Sequence, residues 1–202
     1  MTDQFSAIIL AGGRSSRMGS PKAQLKFGGQ TILERIISEL RTSFDDIIIV
    51  AAPSGLVGGS ASDQRNLTIV RDEREYQGPL SALASGLRTI RNDAAFVCSC
   101  DLPLLNSHVA QSLCAMLDKQ DAVIPEIAGL AQPLHAVYRN RCVAPIDAMV
   151  ARGERRLTRI VDSLSVRRVD ETELRSIDPE LHSFLNVNTP EDYQRALRLL
   201  SE

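Results

Sequence analysis

Short runs of β-branched and other apolar residues alternate with amphipathic stretches, and this alternation constrains the fold more than any other feature of the chain. Residues 7–10, 47–51, 67–70 and 96–100 read as strands. Between them, residues 31–41 carry Ile32, Leu33, Ile36, Ile37 and Leu40 on one helical face, and residues 80–90 and 108–117 behave in the same way. Strands alternating with helices pair in parallel through crossover connections, so the expected class is α/β, a three-layer sandwich with a mainly parallel sheet. The first three strands are almost continuously apolar, as helices on both faces require. The second half adds expected strands at residues 122–124, 134–139 and 184–187, and helices near residues 144–151 and 157–164. A last helix is announced by Thr189-Pro190-Glu191-Asp192, which supplies a hydroxyl cap, a proline at the first helical position and two acids at the positive end of the dipole.

The 202 residues suit one domain spanning 1–202, in which only the small-residue stretch 53–62 resembles a flexible loop. A net charge of -2 and the absence of tryptophan argue against a nucleic-acid partner, which calls for a basic surface or stacking platforms. No stretch approaches the roughly 18 apolar residues that cross a membrane, and no basic leader precedes the first strand, so a cytoplasmic location is expected. Cys98, Cys100, Cys114 and Cys142 lack zinc-type spacing and read as small buried hydrophobes, with Cys98 and Cys100 on one side of a strand. His108, His135 and His182 are far apart, and no Ser-His-Asp or Cys-His arrangement can be picked out.

The segment Leu10-Ala-Gly-Gly-Arg-Ser-Ser-Arg-Met-Gly-Ser-Pro-Lys22 carries the most chemistry. A strand runs straight into Gly12 and Gly13, whose small size lets backbone N–H groups approach a ligand. Ser15 and Ser16 add donors, and Arg14, Arg17 and Lys22 add positive charge. From Gln4 to Leu33 there are four basic residues and no acidic one, as a polyphosphate site needs. The segment is neither a Walker A loop nor a G-x-G-x-x-G fingerprint.

This loop resembles the L-A-G-G-x-S-x-R-M-G-x-x-K signature of the molybdenum cofactor guanylyltransferases. Further matches follow in order: Asp72, Gly78-Pro79-Leu80, Cys100-Asp101-Leu102-Pro103, Gln132-Pro133-Leu134, Gly153-Glu-Arg-Arg156 and Asn186-Val-Asn-Thr-Pro-Glu-Asp192. The opening loop and the C-D-x-P element are shared with cytidylyl- and sugar-nucleotidyltransferases. The Asn186 element and the double glycine Gly12-Gly13 lean towards the guanylyl branch, the cytidylyl relatives resembling this loop with alanine in place of Gly13.

The resemblance implies a Rossmann-like sheet with the nucleotide at the carboxyl ends of its strands. It implies transfer of GMP from GTP to the terminal phosphate of molybdopterin, with release of pyrophosphate. Lys22, Arg17 and Asp101 are the expected catalytic residues, and Asp101 the expected ligand of Mg2+. Leu10, Ala11, Gly12, Gly13, Lys22, Asp72, Gly78 and Asp101 are expected around the nucleotide, and Arg155, Arg156, Asn186 and Asn188 around the pterin. Apo-enzymes that accept the cofactor, or their chaperones, are the implied protein partners.

The chain departs from the family pattern at Pro21, where aspartate is usual, and at Ala51-Ala52-Pro53, which offers the base no side-chain donor or acceptor. Its Gly78–Leu83 segment mixes features of the guanylyl and cytidylyl branches. A cytidylyltransferase acting on the same pterin, a sugar-phosphate nucleotidyltransferase and a non-catalytic GTP-binding module therefore stand as alternatives.

Overall fold

The computed structural model describes residues 4–12, 22–52, 66–71 and 78–200. In chain order the elements are β1 (Phe5–Leu10), β2 (Lys26–Phe27), β3 (Gln30–Thr31), α1 (Ile32–Leu40), β4 (Ile47–Ala51), β5 (Leu67–Arg71), α2 (Pro79–Thr89) and β6 (Ala94–Ser99). There follow α3 (Ser107–Ala115), β7 (Ala122–Ile127), β8 (Leu130–Ala131), β9 (His135–Arg139), α4 (Val143–Ala151), β10 (Val166–Asp170), α5 (Glu171–Leu174) and α6 (Pro190–Leu200). All strands except the β2–β3 hairpin join one eight-stranded sheet, ordered β10-β7-β9-β6-β1-β4-β5, with β8 paired to β7.

The alternation of side chains along each strand feeds two cores. Ala7 and Ile9 of β1, Ile47 and Ile49 of β4, and Phe96 and Cys98 of β6 pack beneath α1 and α3. Ile8 and Leu10, Ile48 and Val50, and Ala95 and Val97 face α2 and α4 on the other side. The three-layer α/β sandwich expected from the sequence is the observed one. Gly86 lets α2 approach the sheet closely: a Cβ there would lie 2.8 Å from Ile8 Cγ2 and 3.1 Å from Val50 Cγ2. The start of α1 is fixed by a capping box, in which Thr31 Oγ1 accepts from Glu34 N at 3.1 Å and Glu34 accepts from Thr31 N at 2.7 Å. Its buried face is Ile32, Leu33, Ile36, Ile37 and Leu40, as the periodicity requires.

One topological feature matters most for the site. β6, β1, β4 and β5 run parallel, and β10 is parallel to β7, whereas β9 is antiparallel to both β6 and β7. The β7–β8 hairpin turns the chain at the carboxyl edge, so β9 starts there and runs back. His135, its first residue, pairs with Cys98 near the carboxyl end of β6.

Several sequence expectations are corrected. Residues 184–187 form no strand: Leu181 takes a left-handed conformation and His182–Phe184 a 3-10 turn, held by Asp178 accepting from His182 N and Ser183 N. Residues Leu157–Asp162 form a 3-10 helix and not an α-helix, because its buried residues Leu157 and Ile160 are three apart and eclipse at three residues per turn. The third strand, β5, is an edge strand with Ile69 42% exposed, so it lacks the two-sided burial of β1 and β4. Strand β6 ends at Ser99, leaving Cys100 in a turn. The sequence reading also missed β10, whose Arg167 and Arg168 obscure the apolar pattern. It lies at the sheet edge, where these arginines pair with Glu173 and Glu126 at 3.3 and 3.2 Å.

Candidate functional site at the carboxyl edge of the sheet

The carboxyl ends of β1 and β6 are stitched together beyond their last paired residues. Cys100 N donates to Leu10 O at 3.1 Å, and Ala11 N donates to Val50 O of β4 at 2.8 Å. Leu10 is buried, Ala11 half-buried and Gly12 exposed. A Cβ on Gly12 would meet Ala52 N at 3.6 Å, an ordinary contact, so packing among the described residues does not demand glycine there. Gly13, Arg17 and Asp72 lie outside the described residues, as does the side chain of Lys22, whose backbone opens a 3-10 turn, Lys22–Gln24.

Asp101 sits in the turn directly after β6, and Ser99 Oγ donates to its Oδ1. It does not cap α3, since Asn106 takes that role by accepting from His108 N at 2.9 Å. The turn is braced from α1, where Arg35 Nε donates to Pro103 O at 2.8 Å while its guanidinium lies 5.6 Å over the Phe27 ring. Asp101 O in turn accepts from Val187 N at 2.8 Å. That bond brings a segment from the far end of the chain to the acid, with Val187 buried and Asn186 and Asn188 exposed on either side.

These elements enclose a cavity of about 260 Å3. Asp101, Ser99 and Asn186 line it, together with Gln132, His135 and the apolar side chains of Leu102, Leu134, Leu157 and Phe184. Its wall is rigidly made: Tyr138 Oη donates to Pro133 O at 2.8 Å, Gln132 N to Pro125 O at 2.8 Å, and Ser99 N to Leu134 O at 3.2 Å. Pro79, the first residue of α2, reaches the same wall. Gly78 before it has φ +94°, a conformation that glycine adopts without strain, and a Cβ there would lie 3.9 Å from Arg155 O. The sequence thus brings Asp101 and Asn186 together, with Gly78 adjoining. Asn188 is turned into the α6 cap, its N–H donating to Asp192 at 3.0 Å, and lines no part of the cavity.

Arg155 and Arg156 are exposed and also absent from the wall. Their N–H groups both donate to Glu154 Oε1 at 2.8 Å. The N–H of Arg156, then that of Arg155, holds the Glu154 carboxyl below the usual range. Of the four cysteines, Cys98, Cys114 and Cys142 are buried and Cys100 is half-buried. Burial raises the Cys98 and Cys114 thiols and pushes Cys142 up to about 12, so they pack as neutral side chains. Among the described residues no three His, Cys, Asp or Glu side chains gather as a metal cage. Nor does any helix among them have the length and apolarity to cross a membrane.

The residue that sequence reasoning missed is His135. It is 1% exposed, and neither Nδ1 nor Nε2 has a hydrogen-bond partner among the described residues. An unsatisfied buried polar group typically costs about 1–3 kcal/mol. Its only sequence signal was adjacency to Gln132-Pro133-Leu134.

The fold is shared with solved proteins. The crystal structure of molybdopterin-guanine dinucleotide biosynthesis protein A from Archaeoglobus fulgidus matches with a TM-score of 0.80, at 22% identity, over 98% of this chain and 99% of that one. The shared architecture is the three-layer α/β sandwich described above. The family model described as the MobA-like NTP transferase domain matches residues 7–169. A "Probable molybdenum cofactor guanylyltransferase" of Methanosarcina acetivorans is 37% identical, covering 96% of this chain and 90% of its own length. The "Molybdenum cofactor guanylyltransferase" of Desulfosudis oleivorans is 33% identical, over 96% of this chain and 95% of its own. The chain belongs to the MobA-like NTP transferase family.

Proposed function

We propose that this chain transfers GMP from GTP to the terminal phosphate of molybdopterin, forming a guanine dinucleotide cofactor. The observation that carries this reading is the Val187–Asp101 hydrogen bond, which places the asparagine segment and the strand-end acid on one cavity wall. Near full-length similarity to relatives bearing the guanylyltransferase name supports the choice of nucleotide and acceptor.

In the reaction, an oxygen of the acceptor's terminal phosphate attacks the α-phosphorus of GTP. A new P–O–P linkage forms, the α–β bond breaks, and pyrophosphate leaves with the bonding electrons. The nucleophile is already anionic, so no general base is needed. The work of the protein is alignment and charge neutralisation. Backbone N–H groups of the loop from Leu10 through Gly13 would cradle the phosphates. Close approach of that backbone to the nucleotide would account for a glycine at position 12 that packing among the described residues does not require. Lys22 and Arg17 would neutralise phosphate charge. At about 4 Å and an effective dielectric of about 20, one such pair gains roughly 4 kcal/mol before desolvation. Asp72 and Gly78 would border the nucleotide, and Asn186 and Asn188, with Arg155 and Arg156, the pterin side.

Asp101 suits magnesium, which binds through few carboxylates plus phosphate oxygens and water and so needs no all-protein cage. When bound, the ion supplies positive charge to the triphosphate. The Ser99 hydroxyl holds the carboxylate that would receive it. The product would pass to cofactor-accepting apo-enzymes or their chaperones.

The test is to incubate the chain with magnesium, molybdopterin and GTP labelled at the α-phosphate. Label retained in a molybdopterin–guanine dinucleotide is the expected result. Label found only in GMP or GDP contradicts the reading.

A further inference from the structure

His135 occupies an aromatic slot that a purely apolar ring would fill better. Its imidazole lies 5.2 Å from Phe96, nearly perpendicular, and 4.2 Å from Phe184, tilted by 35°. Both nitrogens lie beneath the surface without a partner among the described residues. The nearby Asp178 carboxylate is already committed, accepting from His182 N at 3.0 Å, Ser183 N at 2.9 Å and Ser183 Oγ at 2.6 Å. Burial lowers the imidazole pKa to about 3, against the opposing charge of Asp178, so the ring is neutral with one donor and one acceptor nitrogen. The same residue lines the cavity beside Asp101 and Asn186.

We propose that His135 is a specificity-determining residue for the acceptor, hydrogen-bonding the uncharged heterocyclic edge of a ring seated in this cavity. The inference rests on the guanylyltransferase reading, with molybdopterin as acceptor. The cavity suits a ring: among the described residues no Lys or Arg lines it, and Pro79, Leu102, Pro133, Leu134, Leu157 and Phe184 give it largely apolar walls. A volume of about 260 Å3 has room for a fused heterocycle. A pterin edge presents amide-like N–H and C=O groups, which complement a neutral imidazole. Contact requires Phe184 to tilt away from the ring it covers. The backbone there is held, Phe184 N donating to Leu181 O and Leu185 N to His182 O, both at 3.1 Å, so it is the Phe184 side chain that turns.

The test compares wild type with His135→Phe, which keeps the aromatic slot filled and removes both nitrogens. The expected result is an unchanged or higher Tm and a KM for molybdopterin raised about tenfold, the loss of one hydrogen bond's worth of discrimination. The KM for GTP and kcat stay within about twofold of wild type on the same scale. His135→Gln, which restores a donor and an acceptor, recovers part of the acceptor affinity. A purely structural histidine would give unchanged acceptor KM in His135→Phe, and that result overturns the inference while leaving the guanylyltransferase reading intact. A wild type that does not accept molybdopterin overturns both. Should His135→Phe fold poorly, 15N-histidine spectra of the wild type decide: the His135 ring signals shift on adding molybdopterin and not on adding GTP alone. Signals that stay put with molybdopterin bound refute the proposal.

Discussion

The two ends of the sheet treat buried polar groups differently. At the amino-terminal end, Asp46 is buried and fully engaged: it accepts from Ser6 Oγ at 2.6 Å and Arg91 N at 3.3 Å, and the Arg91 guanidinium lies 3.8 Å away. Ser6 accepts in turn from Asn92 Nδ2 at 3.3 Å. Asp121, before β7, accepts from Ser165 N at 2.9 Å and Arg141 Nε at 2.7 Å, and the Ser165 bond is the first cause of its lowered pKa. At the carboxyl end, polar side chains line a cavity, and neither nitrogen of His135 has a partner among the described residues. The amino end is largely closed by its own side chains, with Gln120 Oε1 the one buried side-chain polar atom there lacking a partner among the described residues, and the other end leaves polar side chains bordering a cavity. We expect stability and function to separate along the strand direction.

The largest expected effect breaks function at the open end. Asp101→Ala should lower turnover by about 10²-fold or more, as removal of a preorganised electrostatic partner does. Its Tm should stay close to wild type, measured by thermal unfolding beside steady-state rates. Turnover at the wild-type level with an unchanged magnesium requirement would remove Asp101 from the site.

A second effect sharpens what the open end selects. The described backbone places Gly12 against Ala52, with no polar side chain at residues 51 or 52 to read the base. We therefore expect the size of the residue at position 13 to be the discriminator. Gly13→Ala should cost GTP roughly 1–3 kcal/mol through overpacking, or roughly 5- to 150-fold in kcat/KM, while CTP use holds or rises. Equal losses for both nucleotides would make Gly13 a requirement of loop geometry alone.

The smallest effect on catalysis comes from the closed end. Asp46→Ala strands the Ser6 hydroxyl and the Arg91 N–H, and should cost about 1–3 kcal/mol of stability. For a chain of this size that lowers Tm by roughly 2–4 °C per kcal/mol, with kcat within about twofold at 25 °C. A catalytic loss comparable to that of Asp101→Ala would collapse the distinction between the two ends.

Much of this division was legible in the sequence. β1 and β4 announced themselves because helices cover both of their faces and residues 7–10 and 47–51 are apolar throughout. α1 was readable from its apolar periodicity and α6 from its capped start, and both form as expected. The charged edge strand β10 was not readable, since ion pairs on its exposed side masked the alternation. Residues 184–187 misled in the opposite sense, being apolar for core packing while Asp178 folds the chain into a 3-10 turn. Of the residues expected from local motifs, Asp101 and Asn186 line the cavity and Gly78 adjoins it. His135 was not among them, because its place depends on β9 reversing direction, and no local pattern encodes that. Arg155 and Arg156 were placed with the pterin by motif, and their side chains lie outside the cavity wall.

The most direct measurement is pyrophosphate release with each of the four nucleoside triphosphates, in magnesium, with and without molybdopterin. The account predicts release with GTP only when molybdopterin is present, and little with the other three. Release that prefers CTP, or that proceeds equally without the pterin, would contradict it.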